Sequence, residues 1–151
     1  MDYMFYNCKS LISIDLSNFN TQEAVYMDNM FCNCKSLLTL DLSNFNTQNV
    51  FSMIYMFSGC KSLISINLPN FNTKRLYRIS YMFYDCNSLI SLDLSSIIIQ
   101  NYKNTSMFSN CNSLISIDIP IKFENLVENP NMFSNVNSLN YKNKKFFYNF
   151  N

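Results

Sequence analysis

The chain has 151 residues, with 11 Lys and Arg against 10 Asp and Glu, for a net charge of +1. Only 14% of residues are charged, against roughly 25% in average globular domains, so no strong field exists to steer nucleic acid or an anionic membrane. Histidine is absent. Its absence removes the commonest general base, the commonest metal ligand and every Ser-His or Cys-His nucleophile pair.

With one glycine, Gly59, no phosphate-cradling loop can be written. The expectation is a protein that is not an enzyme and holds no cofactor. Met1, Asp2 and Tyr3 offer neither the basic start nor the apolar stretch of a signal peptide. No run approaches the ~18 apolar residues of a membrane helix, so a soluble chain without membrane insertion is expected. It begins in the middle of a repeat, which suits an excerpt of a longer protein. The 25 asparagines, with many Ile, Lys, Tyr and Phe, read as AT-rich codon usage rather than a physical demand.

In chain order, the first element is the pair Met-Phe, which recurs at 4–5, 30–31, 56–57, 82–83, 107–108 and 132–133. Successive starts are 26, 26, 26, 25 and 25 residues apart. A fixed period of this length is the signature of stacked repeats. Cys8, Cys34, Cys60, Cys86 and Cys111 each fall three residues after the Phe, and Val136 takes the sixth place. Leu11, Leu37, Leu63, Leu89, Leu114 and Leu139 follow three residues later.

A strand comes next. In Leu37-Leu38-Thr39-Leu40-Asp41-Leu42-Ser43, Leu40 and Leu42 alternate with Thr39, Asp41 and Ser43, the period of two that separates the faces of a sheet. The register predicts parallel strands near 12–16, 38–42, 64–68, 90–94 and 115–119. Asn-Phe-Asn-Thr at 18–21, 44–47 and 70–73 suits a turn, with Phe19, Phe45 and Phe71 directed inward. The last part of the unit places Ala24, Met27 and Met30, and their equivalents, at every third residue. That spacing fits a short helix or 3₁₀ segment. One such unit cannot bury its apolar edge alone, whereas stacked units bury the Leu, Cys, Phe and Met columns together.

The string Met-Phe-x-x-Cys-x-Ser-Leu-x-x-Leu-Asp-Leu-Ser-x-Phe-x-Thr, matched almost position by position at 30–47, resembles the BspA-like leucine-rich-repeat family. The resemblance runs from residue 4 to about 120 and, degenerately, to 139. It implies a right-handed solenoid, a cell-surface or secreted location, and adhesion to other proteins. It brings no catalytic residue. The expected architecture is an α/β repeat: a right-handed leucine-rich-repeat solenoid over residues 1–139, with a parallel sheet on the concave face and short helical or 3₁₀ segments on the convex side. Residues 140–151 form a degenerate C-terminal cap or tail.

The polar strand face carries the candidate partner-binding residues in two columns. Ser13, Thr39, Ser65, Ser91 and Ser116 make one. Asp15, Asp41, Asn67, Asp93 and Asp118 make the other. Stacked carboxylates repel, which raises their pKa values or attracts a cation or a basic partner, and Asn67 interrupts the row. The bland alternative is a solvated sheet face with short side chains. A calcium site lacks here the varied ligand geometry of a calcium loop.

The five cysteines of the repeat column read as small buried hydrophobes. Parallel neighbours sit near ~4.8 Å, too far for the ~3.8 Å between the Cβ atoms of a disulfide. They do not converge as zinc ligands would, so no metal is expected. Cys32 shares its column with Tyr6, Ser58, Tyr84, Ser109 and Ser134 and reads as an exposed thiol. Lys9, Lys35 and Lys61, with Asn87 and Asn112, read as a solvated edge. Asn104-Thr105-Ser106 is a lone glycosylation sequon in an Asn-rich chain.

The primary reading is a protein-interaction module that uses the concave face, with an unidentified protein partner, no nucleic acid, and self-association through the solenoid ends. The rival is a purely structural segment of a larger surface protein with no ligand of its own.

Overall fold

The computed structural model describes residues 1–68, 71, 73–98, 106–118 and 131–136. Expectations for Leu139, for the end of the last strand, for most of the sequon and for the tail at 140–151 lie outside the described residues. Four strands form: β1 (Thr39–Asp41), β2 (Ser65–Asn67), β3 (Ser91–Asp93) and β4 (Ser116–Asp118). β1 pairs in parallel with β2, placing Thr39 beside Ser65, Leu40 beside Ile66 and Asp41 beside Asn67. β3 pairs in parallel with β4, with Leu92 beside Ile117 and Asp93 beside Asp118. The segment at 12–16 is not a strand. It belongs to the first repeat, which has a neighbour on one side only, and Ile12 still accepts a hydrogen bond from Leu38 N at 3.1 Å.

The repeats lie one on the next, and the backbone records this on both sides of the unit. On the strand side Leu38 N donates to Ile12 O, Ile64 N to Leu38 O (2.8 Å), Ile90 N to Ile64 O and Ile115 N to Ile90 O, while Leu42 N and Leu94 N donate forward to Asn67 O and Asp118 O. On the opposite side a run of four bonds goes forward. Met27, Asn29, Phe31 and Asn33 donate to Ser52, Ile54, Met56 and Ser58 of the following repeat, all within 2.8–2.9 Å.

This second ladder explains a departure from the expected helix. Among the described residues the segments leading into Met-Phe are successive turns, not helical or 3₁₀ segments. A helix would use those N–H groups within its own turn; here alternate residues donate them to the neighbouring repeat. Left-handed residues also interrupt any helix, two in each of the first four units and one in each of the last two. The first precedes Met: Tyr3, Asn29, Tyr55 and Tyr81, with φ of 56–61°. The second precedes the Cys column or Val136: Asn7, Asn33, Gly59, Asp85, Asn110 and Asn135. Asn, Asp and Gly are the residues that tolerate this conformation, so part of the Asn content answers a backbone demand. It is not codon bias alone. At Gly59, with φ of 72°, a Cβ would meet the end of the Asn33 side chain, which can turn aside, so the left-handed backbone and not the space favours glycine there.

The core is made of columns. Leu37, Leu63, Leu89 and Leu114 are wholly buried, as are Met30, Met56 and Met82. Phe5, Phe31, Phe57, Phe83, Phe108 and Phe133 stack ring on ring through the molecule, with centroids 5.1–5.9 Å apart. Such pairs each add about 0.5–1.5 kcal/mol beyond their buried area. Phe19, Phe45 and Phe71 start a second column, and Ile97 continues it, buried.

Leu40 is buried between exposed Thr39 and Asp41. Leu40→Ala should lower unfolding stability by about 2–5 kcal/mol through the cavity it leaves, while Thr39→Ala on the open face should change it by less than about 0.5 kcal/mol. Urea denaturation of the two variants measures both. Equal losses would place the core on the other side of the strand.

Candidate functional site

The strand face brings the candidate residues together. Ser13, Asp15, Thr39, Asp41, Ser65, Asn67, Ser91, Asp93 and Asp118 are exposed, and Ser116 is half-buried. The pairing of β1 with β2 and of β3 with β4 turns the two sets into rows across the repeats.

The aspartate row does a structural job that its column alone did not suggest. Asp15 Oδ1 accepts Ser17 N at 2.9 Å, Asp41 Oδ1 accepts Ser43 N at 2.9 Å, and Asp93 Oδ1 accepts Ser95 N at 2.8 Å. Each carboxylate thus closes a turn two residues on, which at Asp41 and Asp93 is the turn that ends the strand. These hydrogen bonds hold Asp15 and Asp41 below the usual carboxylate range, chiefly through the Ser17 and Ser43 backbones; the Ser95 side chain is the main cause at Asp93. The expected upward shift from stacked charges is therefore reversed, because hydrogen bonding to the charged form outweighs the desolvation that opposes it. Asn67 contributes as well, donating its amide to Asp41 Oδ1 at 3.0 Å.

The cysteine column is buried at Cys34, Cys60, Cys86 and Cys111, but Cys8 is exposed. Each buried thiol donates to the carbonyl of the Phe one repeat earlier: Cys34 to Phe5, Cys60 to Phe31, Cys86 to Phe57 and Cys111 to Phe83, all at 3.1 Å. The column is thus a polar contact between repeats as well as an apolar filling. Burial pushes these thiols up, Cys34 to about 11 and Cys111 to about 12.

Cys32 corrects an expectation. It is 8% exposed, not an exposed thiol. Its column neighbours Ser58 and Ser109 are buried too. Burial raises the Cys32 pKa and a hydrogen bond with Ser58 opposes the rise. Tyr55 stacks on Tyr81 at 4.8 Å, and burial, with smaller contributions from Tyr81 and Cys32, pushes its phenol up.

One further row stands on the strand face. Ile12, Leu38, Ile64, Ile90 and Ile115 are 42–59% exposed, joined repeat to repeat by the backbone ladder described above. In sequence, Lys or Asn stands three residues before each member of this row and Asp or Asn three residues after it. Lys61 Nζ lies 3.0 Å from Asp85 Oδ2. Among the described residues no group of Cys, Asp and Glu could hold a metal ion, and no helix is long and apolar enough to cross a membrane.

A family model described as "Mycoplasma protein of unknown function, DUF285" matches residues 1–121. The chain belongs to the DUF285 family. No curated protein and no solved structure matches it. The DUF285 match spans the five repeats whose strand faces carry the rows above.

Sequence reasoning missed the aliphatic row of this DUF285 chain. Its signal was present in the same 26, 26, 26, 25 spacing. Leu38 sits between Leu37 and Thr39, however, and a strict alternation assigns it to the inner face with Leu40.

Two tests follow from these surroundings. Asp in an unfolded chain titrates near ~3.9, and Asp15, Asp41 and Asp93 lie lower when folded. Their contribution to stability is therefore complete above about pH 4 and is lost as pH falls through the lowered folded values. Asp41→Asn keeps an acceptor for the turn but removes the charge, so urea midpoints measured from neutral to acid pH should fall less steeply in this variant. Thiol labelling of the native protein near pH 8 should modify Cys8 alone, with the other five reacting only after denaturation. Rapid labelling of Cys32 or of the column would contradict the burial described.

Proposed function

We propose that this chain is a right-handed leucine-rich-repeat solenoid of the BspA-like kind that serves as a protein-interaction module rather than an enzyme, with adhesion as its setting. The observation that carries the reading is the exposed Asp, Ser and Thr face ordered over successive repeats. A rigid array of carboxylates and hydroxyls is suited to a partner presenting Lys or Arg. Asp41 and Asp93 flank the neutral Asn67 near the middle of the face, where binding energy concentrates. Solenoids use extended sheet faces in this way.

The second reading, a structural segment whose value is length or avidity, draws on the Asp carboxylates being occupied in closing turns.

Capture from matrix and cell extracts on the immobilised protein, followed by affinity measurement with the purified partner, separates the two. Asp41→Asn with Asp93→Asn should weaken binding about tenfold and flatten its salt dependence. Both substitutions retain an acceptor for the turn, as Asn20 and Asn46 show at their own turns. Unchanged affinity and salt dependence would remove the Asp row from the site, and failure to capture any partner favours the structural reading.

A further inference from the structure

We propose that two copies of this chain associate side by side through the aliphatic row, about a twofold axis that runs along it, so that the lysine row of each copy faces the aspartate row of the other. The inference goes beyond a foreign partner: its occupant is the chain itself, and the contact is the strand face, not the ends of the stack.

The spacing carries the argument. In the first two repeats a lysine stands three residues before the exposed aliphatic residue and an aspartate three residues after it: Lys9, Ile12, Asp15, then Lys35, Leu38, Asp41. Rotation by 180° about the row exchanges the position at minus three with the position at plus three. Lys9 and Lys35 of one copy then lie over Asp15 and Asp41 of the other, while each aliphatic side chain meets its own equivalent. This is an isologous contact. The other face-to-face arrangement, with the axis across the row at the third repeat, sets Asp15 over Asp118, Asp41 over Asp93 and Lys61 over its own equivalent, which like-charge repulsion disfavours. Charge therefore selects the parallel arrangement.

The third repeat fits the same scheme by being neutral. Asn67 replaces the aspartate, and Lys61, which would have faced it, is engaged by Asp85 at 3.0 Å within its own chain. In the last two repeats the lysine position is asparagine, Asn87 and Asn112. A neutral residue there sets no like charge against the opposing Asp93 and Asp118, and the Asn87 amide is itself given to Asp85 Oδ1 and Asn110 O within its own chain. No like charges meet in any of the five repeats.

The row itself supplies the apolar contact. Five Ile or Leu side chains, each 42–59% exposed, extend over about 19 Å at ~4.8 Å per repeat. Small residues border the row on both sides: a serine stands two residues before each member and a serine or threonine one residue after it. The aliphatic groups therefore stand proud of the face. A contiguous exposed apolar row edged by polar residues marks an interaction surface.

The test uses the purified chain alone, which separates it from the capture experiment for a foreign partner. All variants carry Cys8→Ser to remove the exposed thiol. Sedimentation velocity at low salt should show a monomer–dimer equilibrium that weakens as salt rises. Lys35→Asp should weaken it about tenfold, and adding Asp41→Lys in the same chain should restore it. Asp41 also closes a turn, so a second measurement leaves that residue untouched. Ile12→Cys should form a disulfide between two copies of the same variant under mild oxidation, because the parallel arrangement sets equivalent positions together. A chain that stays monomeric at all concentrations overturns the proposal. So does a dimer indifferent to Lys35→Asp, or one in which Ile12→Cys bridges only to a second variant, Ile115→Cys.

Discussion

A repeat of 25 or 26 residues cannot satisfy its own backbone, and the arrangement of this protein follows from that constraint. Buried N–H and C=O groups need partners, and these short units contain no helix among the described residues to supply them internally. The next repeat supplies them instead. Met27, Asn29, Phe31 and Asn33 all donate forward to one neighbour, and Leu38, in the same unit, donates back to the other. Every repeat is tied to both of its neighbours on opposite sides, so each column of side chains is held in register by backbone bonds rather than by side-chain packing alone.

Register in turn gives small residues unusual leverage. A thiol at the head of the Cys column reaches the Phe carbonyl of the previous repeat four times over at 3.1 Å. Thr21 likewise bridges to the backbone of Asn46, donating to its carbonyl and accepting its N–H, and Thr73 does so at Ile98. These contacts are weak one by one, but they recur because the geometry recurs. The same regularity acts on the surface. One exposed Ile or Leu per repeat is unremarkable alone, whereas a ladder of five makes a row with a charged border on each side.

The strand face combines two demands that the residue types reconcile. Aspartate closes the turn after the strand and also presents charge to solvent. Asparagine closes turns by the same acceptor, as Asn20 and Asn46 do for Gln22 and Gln48, without the charge. Asn67 in the middle of the Asp row therefore changes the electrostatics while keeping an amide that bonds to Asp41. Charge on this face can be varied from repeat to repeat at little cost to the backbone.

The repeat period, the positions of four strands and the inward Leu, Met, Phe and Cys columns were legible in the sequence, because they depend on a spacing that any stacked arrangement must respect. The polar rows on the strand face were legible for the same reason. Other features depended on where neighbouring repeats lie in space. The segments expected to be helical became turns because their N–H groups had closer acceptors in the next repeat, and because left-handed Asn, Asp, Gly and Tyr interrupt them. Cys32 is buried although its column holds tyrosines and serines, and Cys8 is exposed although the rest of its column is buried. Leu38 and its equivalents turned outward although the chain places them beside buried leucines. Period is a property of the chain, written in one dimension; exposure is set by what packs across from a residue, and only the stacked structure decides that.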